Sequence, residues 1–406
     1  MTGFAWTGAP PVRAVMDALS AAGEARFVGG CVRDSLLGLA PAPLDPDAGG
    51  TADIDVATTL TPDETTAALT AAGLAAHPTG VEHGTVTAVA DGLPVEVTTL
   101  RADVATDGRH AEVRFTTDWD QDWRRRDFRV NAMYLDADGQ LFDPAGGRAD
   151  LATRRVRFIG DADTRIAEDY LRILRFFRFT SRYADAPDAD GLAACARGAE
   201  GLARLSKERI WQETAKLFAT PRAPAALAAA DGAGVLGRVL ATRPDHVAFA
   251  VLHGLLRGDV PPALGLEATW PDAAPETFRA AFKPSNDTLA RVVAARDAGA
   301  RLTPDQGVAL SRALYRFGRQ GVRDAALLAA ARRADPAPWL DLHVRAGRVP
   351  VPVLPVQGRD LIARGLTPGP AIGETLAKVE ADWLAAGCPE DRATLDAIVS
   401  AALAAA

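Results

Sequence analysis

The sequence predicts an α+β fold: an N-terminal head with a small mixed β-sheet and helices, followed by an all-α neck, body and tail. Three observations predict it. Up to about Asp161, short β-rich runs are interleaved with turns and helical stretches. Beyond that point Ala, Leu and Arg recur at helical spacing almost to the C-terminus. Clusters of Pro and Gly, at 219–224, 257–262 and 349–355, break that helical part into segments. The expected divisions are residues 1–160 for the head, 161–220 for the neck, and 221–406 for the body and tail.

The head is expected to open with a helix over 11–22. The apolar run ARFVGG then forms a strand, and a helix follows over 31–39. A loop rich in Pro, Gly and Asp covers 40–51. Strands are expected at 53–57, 85–90, 95–100 and 130–135, with a helix over 62–72 between the first two. In the helical remainder the abundant Ala reflects helix propensity rather than disorder, because Leu, Val and Phe recur within it.

The chain has 406 residues, about half of them hydrophobic, which is enough for a sizeable core and more than one domain. Lys and Arg total 45 against 52 Asp and Glu, a formal charge of -7, so the overall balance announces no polyanionic partner and local charge must do so. Cys31, Cys195 and Cys388 are odd in number and without ligand spacing, as expected of small buried hydrophobes in a reducing cytoplasm. No apolar stretch has the length or flanks of a membrane span or a signal peptide, so the expected location is cytoplasmic.

Asp53 and Asp55, in TADIDVATT, are two apart on an expected strand, so both carboxylates face the same side. Two such acids can share Mg²⁺ ions. Paired ions about 4 Å apart would activate an attacking hydroxyl and steady a departing pyrophosphate. The same spacing also occurs on solvated strand ends. Upstream, Gly29-Gly30-Cys31-Val32-Arg33-Asp34 leaves a strand and opens a helix, which turns bare N–H groups toward whatever sits there. Glycine lets a triphosphate approach the backbone, and Arg33 can add charge-assisted hydrogen bonds. A plain tight turn is the alternative, and its place one loop ahead of the acid pair favours the phosphate site.

From these residues on, the chain resembles the class II tRNA nucleotidyltransferase and bacterial poly(A) polymerase family, within the polymerase β superfamily. GGCVRDSLLG and DIDVAT resemble its signature. In order after them, HGTVTAV and VEVTTLR resemble its catalytic strands, TDGRHAEVRF its flexible loop, RRDFRVNAM its basic motif, and EDYLRILRFFRF and ERIWQE its two downstream motifs. The resemblance covers roughly the first half of the chain.

Each string also carries a reading from its own residues. Glu96, on the alternating strand VEVTT, is either a third carboxylate near the metals or a solvent-facing strand residue. Among Arg124, Arg125 and Arg126, at least one cation should meet an anion, unless the cluster is a solvated turn. Phe128, Val130 and Met133 just after imply a packed strand that holds the cluster still. Over 168–179 the spacing predicts one helix on which Asp169, Arg172, Arg175 and Arg178 form a stripe and apolar residues fill the rest. Such a buried helix must turn its arginines to a cleft, a carboxylate or a ligand.

The resemblance implies that Arg126 contacts the nucleotide, and that Asp169 and Arg172 pair with the Watson–Crick edge of the incoming base. A carboxylate accepting from the exocyclic amine and an arginine donating to a ring acceptor would admit cytosine and adenine and reject uracil and guanine. Arg175 and Arg178 would neutralise phosphates or brace that helix, with Glu208, Arg209 and Glu213 as a further brace. His83 and His110 lack a second histidine at ligand spacing and are expected to be structural. The implied substrates are CTP and ATP, the cofactor Mg²⁺ and the partner tRNA.

Three activities remain open: CCA addition, poly(A) or A-only addition, and catalytically inactive RNA binding. Poly(A) polymerases of the family carry Gly-Arg-Arg-Phe where this chain has GVEHGTVTAV, which favours CCA addition. Retention of the acids, the Gly-Gly turn and the arginine stripe disfavours the inactive relative. In the helical part, arginines within 329–334 are candidate RNA contacts or a solvated face.

Overall fold

The computed structural model describes residues 4–39, 54–80, 84–103, 113–304 and 308–406. Asp53, His83 and His110 lie outside the described residues.

Among the described residues the strands are β1 (Ala25–Val28), β2 (Asp55–Thr58), β3 (Ala75–Gly80), β4 (Thr85–Ala90), β5 (Leu93–Thr99), β6 (Arg101–Asp103), β7 (Val113–Phe115), β8 (Tyr134–Leu135) and β9 (Leu141–Phe142). Seven of them form one sheet in the order β3-β4-β5-β2-β1-β8-β9, and β6 pairs with β7 apart from it. β2 runs parallel to β5, whereas the other neighbours in the sheet are antiparallel.

One row of register partners crosses the whole sheet: Phe142, Tyr134, Val28, Asp55, Glu96, Thr87 and His77. Residues directly opposite one another share a face, so these seven side chains stand on one side. On the other side Phe27, Val56, Val97 and Val86 are essentially fully buried. They lie under α1 (Pro10–Ser20) and α3 (Pro62–Ala71), which pack on the sheet. α1 buries Val12, Val15, Met16 and Leu19, the i, i+3, i+4, i+7 pattern of a single apolar stripe. α3 starts with Pro62 and a capping box between Thr61 and Glu64, two independent start signals.

The row itself is divided in character. α4 (Trp119–Arg125) brings Trp119 and Trp123 against Val28, Ala57, Leu100 and Tyr134. The Arg26 guanidinium lies 4.1 Å from the Trp119 ring centroid and 4.1 Å from that of Phe142, so a cation seals the aromatic end. Toward the other end Glu96 and His77 are exposed and Thr87 half-buried.

Two expected elements differ. The strand over 130–135 is shortened to β8, because 129–131 form a 3₁₀ turn. Asp127 Oδ1 accepts from the Phe128 N–H and the Asn131 amide, and such local side-chain bonds compete with a strand ladder. The helix over 168–179 is two helices, α6 (Ala162–Glu168) and α7 (Leu171–Tyr183). Between them Asp169 is extended (φ -152°, ψ 105°), and its Oδ1 accepts from the N–H of Leu171, the first residue of α7, at 3.1 Å. The remaining head helices are α2 (Gly30–Leu36), α5 (Gly147–Ala152) and α8 (Ala189–Gly198).

The chain divides into two compact units, Met1–Ser206 with Ala225–Val239, and Lys207–Pro224 with Leu240–Ala406. The helices from there on are α9 (Lys207–Phe218), α10 (Ala223–Gly232), α11 (Val235–Val239), α12 (His246–Leu255), α13 (Pro262–Thr269), α14 (Pro275–Phe282), α15 (Asn286–Gly299), α16 (Val308–Arg332), α17 (Ala337–Arg348), α18 (Gly358–Ala363), α19 (Ala371–Ala385) and α20 (Arg392–Ala404). α16 is broken at Gly318, whose φ of 68° no helical residue adopts. Ala298, Leu314, Val322, Ala326 and Leu342 form the core around α15, α16 and α17. Among the described residues no helix is long and apolar enough to cross a membrane.

Gly201 is buried, and a Cβ there would come within 2.0 Å of the Tyr170 ring, next to the α6–α7 break. Gly201→Ala should therefore cost about 1–3 kcal/mol through overpacking, measured by urea unfolding. An unchanged unfolding midpoint would mean that the ring moves aside freely.

Candidate functional site

The site assembles where β1 turns into α2. Gly29 caps α2 with φ 76° and ψ -125°, a conformation open to glycine and strained for any other residue. A Cβ on Gly29 would stand 3.5 Å from Oδ2 of Asp55, so the carboxylate lies directly against the turn. Glu96 is the register partner of Asp55 across the parallel β2–β5 pair, and both side chains face the same way. Asp55 is half-buried and Glu96 exposed. Cys31, also at this turn, donates its Sγ–H to the Val28 carbonyl, and burial pushes its thiol up to about 12. It is an inert packing residue, as expected, and the three cysteines are all buried and unpaired.

Behind the turn runs a continuous polar chain. Tyr183 Oη and Arg33 Nε both donate to Asp34 Oδ1, at 2.9 and 2.8 Å. Arg33 also donates to Asn131 Oδ1, and the Asn131 amide passes on to Asp127 Oδ1 at 2.9 Å. Arg175 Nε donates to Asp127 Oδ2 at 2.7 Å. Burial pushes the Tyr183 hydroxyl up to about 12, so it stays a neutral donor. Asp127 is buried, yet Arg175 and the Asn131 amide hold its carboxyl below the usual carboxylate range. Arg33, itself buried, stacks 4.2 Å from the Tyr183 ring centroid. The expected phosphate ligand Arg33 is thus placed beside Gly30 with its guanidinium bonded to Asp34 and Asn131.

The basic cluster is held in the same manner. Arg125 and Arg126 both pair with Asp122, at 2.6 and 2.8 Å, and Arg126 Nε also donates to Tyr134 Oη at 3.1 Å. Asp122 is 1% exposed, and against the upward push of burial Arg126 and Arg125 hold its carboxyl well below the usual range. Arg172 is tied to the main chain: it donates to the Arg165 carbonyl at 2.7 Å, to the Arg125 carbonyl at 2.9 Å, and to the Glu168 carboxylate. Arg172, Arg175 and Arg178 are each half-buried, while the α7 residues between them are buried. Phe128, Phe158, Phe176 and Phe179 pack behind that stripe at centroid distances of 4.9 to 6.3 Å.

The structure therefore gathers Gly29, Gly30, Asp55 and Glu96 at one end of the central strands. It joins Arg33, Asp34 and Arg175 through Asn131 and Asp127, and it bonds Arg172 to the carbonyl of Arg125, which shares Asp122 with Arg126. Sequence reasoning missed Asn131, Tyr183 and Asp122 as parts of this framework. Asn131 had a signal, since a polar residue between Val130 and Ala132 in an apolar run must find partners when buried. Elsewhere, Arg332 is bonded to Glu267 and Arg333 lies over the Trp339 ring, so the candidate basic helix end is engaged within its own unit. Glu208 pairs with Lys283 at 2.8 Å.

A mixed sheet with an acid against a glycine turn, followed in the chain by helices, fits the class of nucleotidyltransferases. Residues 25–157 match the family described as the poly A polymerase head domain, and 263–399 match tRNA nucleotidyltransferase domain 2. The CCA-adding enzyme of Levilactobacillus brevis is 31% identical over 408 residues, which covers 96% of each chain. The chain belongs to the CCA-adding enzyme family. The mouse mitochondrial CCA tRNA nucleotidyltransferase 1 is 49% identical over 199 residues, 48% of this chain and 44% of the mouse protein, so that match spans less than half the length of the relative. The crystal structure of the Bacillus stearothermophilus CCA-adding enzyme in complex with CTP superposes with a TM-score of 0.72 at 28% identity, over 93% of each chain.

The family implies a divalent metal ion; among the described residues no group of three His, Cys, Asp or Glu is gathered to hold one, and Asp55 and Glu96 are the two carboxylates brought together at this turn. Like charges directly opposite one another in a sheet repel, and Asp55 and Glu96 are so placed. Carboxylate oxygens are the donors a hard divalent cation takes.

Replacing Asp122 tests the framework. Its folded carboxyl titrates below the unfolded value of about 3.9, so its contribution is complete above that pH and is lost as pH falls through the lower folded value. Asp122→Ala should cost about 3–5 kcal/mol at pH 7, by removing one member of a buried ion pair. In denaturant titrations that cost should shrink below about pH 4. A cost that stays constant down to pH 2 would refute the assignment.

Proposed function

We propose that this protein is a CCA tRNA nucleotidyltransferase: it adds C, C and A to the tRNA 3′ end from CTP and ATP, without a nucleic-acid template, by two-metal phosphoryl transfer. The observation that carries the reading is the Asp55 carboxylate, in register with Glu96 and against the Gly29 turn. Similarity over the whole length to a CCA-adding enzyme supports it, as does the likeness to a CTP complex. The chain's place is the cytoplasm.

Asp53 and Asp55 are the proposed ligands of Mg²⁺, with Glu96 as a third carboxylate. Mg²⁺ when bound neutralises the triphosphate and makes the attacking hydroxyl more acidic. Gly29 and Gly30 let the triphosphate approach the main chain, and Arg33 and Asp34 fix that turn from behind. Arg126, oriented by Asp122 and Tyr134, contacts the nucleotide. Asp169 accepts from the exocyclic amine shared by cytosine and adenine, and Arg172 donates to the ring acceptor. Bonds to the Arg125 and Arg165 carbonyls hold the Arg172 guanidinium in place. Arg175 and Arg178 bring positive charge to the phosphates. The helical body and tail hold the tRNA by shape and phosphate contacts.

Incubation with Mg²⁺ and tRNAs lacking the last one, two or three nucleotides, with CTP and ATP supplied separately, tests the reading. C should be incorporated before a single terminal A. Growth by A alone would move the reading to the A-adding members, and no incorporation on any RNA would refute catalysis.

Asp55→Ala should lower kcat by about 1,000-fold or more, since several kcal/mol of transition-state stabilisation is lost. Asp169→Ala should leave the rate of C addition less affected and raise incorporation of UTP and GTP. Unchanged base selection in that variant would remove Asp169 from its role.

A further inference from the structure

Beyond Asp55 and Glu96 the open half of the sheet carries a strip of hydroxyls that the assigned roles leave unused. Thr87 is the register partner of Glu96, and His77 that of Thr87, so the strip continues the acid row toward the sheet edge. One row along, Thr98 pairs with Thr85. At about 4.8 Å per strand, His77 stands about 14 Å from Asp55, so the strip lies within reach of a chain end delivered to the acids.

The hydroxyls bond in pairs, Thr79 with Thr87 at 2.8 Å and Thr85 with Thr98 at 3.2 Å. Each pair owns two O–H donors and uses one internally, which leaves one donor per pair for a ligand or solvent. Thr85, Thr87 and Thr98 are half-buried, whereas Thr79, His77 and Glu96 are exposed. Threonine is a common strand residue, and cross-strand Thr pairs stabilise sheets by themselves. What goes beyond that is alignment: Thr87 lies in the row of Asp55 and Glu96, and the Thr85–Thr98 pair lies in the next row on the same face.

We propose that this strip seats the 3′-terminal ribose–phosphate of the acceptor RNA, so that its terminal hydroxyl arrives at Asp55 and Glu96. The inference rests on the nucleotidyltransferase reading above and names where that reaction holds its acceptor. Neutral donors suit the task. The terminal base of the acceptor changes between successive additions while the sugar and phosphate do not, and contacts to sugar and phosphate carry no base information. Strand hydroxyls on a rigid sheet give such contacts at fixed positions. An arginine row there would compete for the triphosphate that must lie on the other side of the acids.

The test is steady-state kinetics of the full chain with a tRNA lacking its 3′ nucleotides, CTP and Mg²⁺. The double variant T87V/T98V keeps shape and strand propensity and removes one hydroxyl from each pair. KM for the tRNA should rise about 10-fold or more, since two hydrogen bonds to the acceptor are removed, while KM for CTP moves by less than about twofold. T87S, which keeps a hydroxyl, should restore the acceptor KM toward that of the unaltered protein. A purely structural role would instead lower the melting temperature and leave the ratio of the two KM values in place. Incorporation with an unmoved acceptor KM in a folded T87V/T98V overturns the inference alone. No incorporation by the unaltered protein overturns both it and the reading on which it rests.

Discussion

Two carboxylates on neighbouring strands repel, and the rest of the head is organised around holding them together. Asp55 faces Glu96 because β2 lies parallel to β5 in one particular register. A slip of either strand by a single residue would turn its acid into the core and bring its valine, Val56 or Val97, out. Burial of those two valines, at 0% and 1% exposure, makes that slip costly. Side-chain bonds lock the far end of the strands: Thr58 donates to the Glu24 carbonyl and Thr99 to the Leu60 carbonyl, at 2.8 and 2.7 Å. Register here is a stability matter with a chemical consequence, because it sets the spacing of the two charges at the glycine turn.

The same economy governs the cations. Arg126 and Arg175 are each tied to a buried carboxylate, Asp122 or Asp127, and Arg172 to main-chain carbonyls. A buried ion pair adds little net stability, but breaking one is expensive, so such pairs hold geometry more than they hold the fold together. Asn131 matters more than its size suggests. It joins the Arg33–Asp34 pair behind the glycine turn to Asp127 and its α7 partner Arg175, so the glycine turn and the arginine stripe share one hydrogen-bonded frame.

Much of this was legible in residues alone. The limits of β4 coincide with the run TVTAVA, and the three half-buried arginines of α7 match their spacing of three among apolar neighbours. What escaped was decided by partners distant in sequence or by a single side chain. The stripe could not reveal that Asp169 leaves the helix, because an Asp at that spacing is equally good at bonding a nearby N–H. The 3₁₀ turn at 129–131 follows from Asp127 bonding locally, which no periodicity records. β3, β6, β7 and β9 are short or mostly polar, and pairing rather than composition makes them strands.

A formal charge of -7 sits oddly with a polyanionic partner until the location of the charge is considered. The arginines on and beside α4 and α7 are mostly matched by a nearby carboxylate. Matched arginines project little field over distance, so they contribute few long-range steering effects and offer oriented donors at contact range. The open half of the sheet adds hydroxyls and one histidine rather than guanidiniums. Recognition built this way depends on the shape and hydrogen-bond pattern of what arrives, and it keeps the two carboxylates clear of a ring of cations. An acidic chain is then compatible with handling nucleic acid, provided that the metal and the matched arginines together offset the charge gathered at the acids.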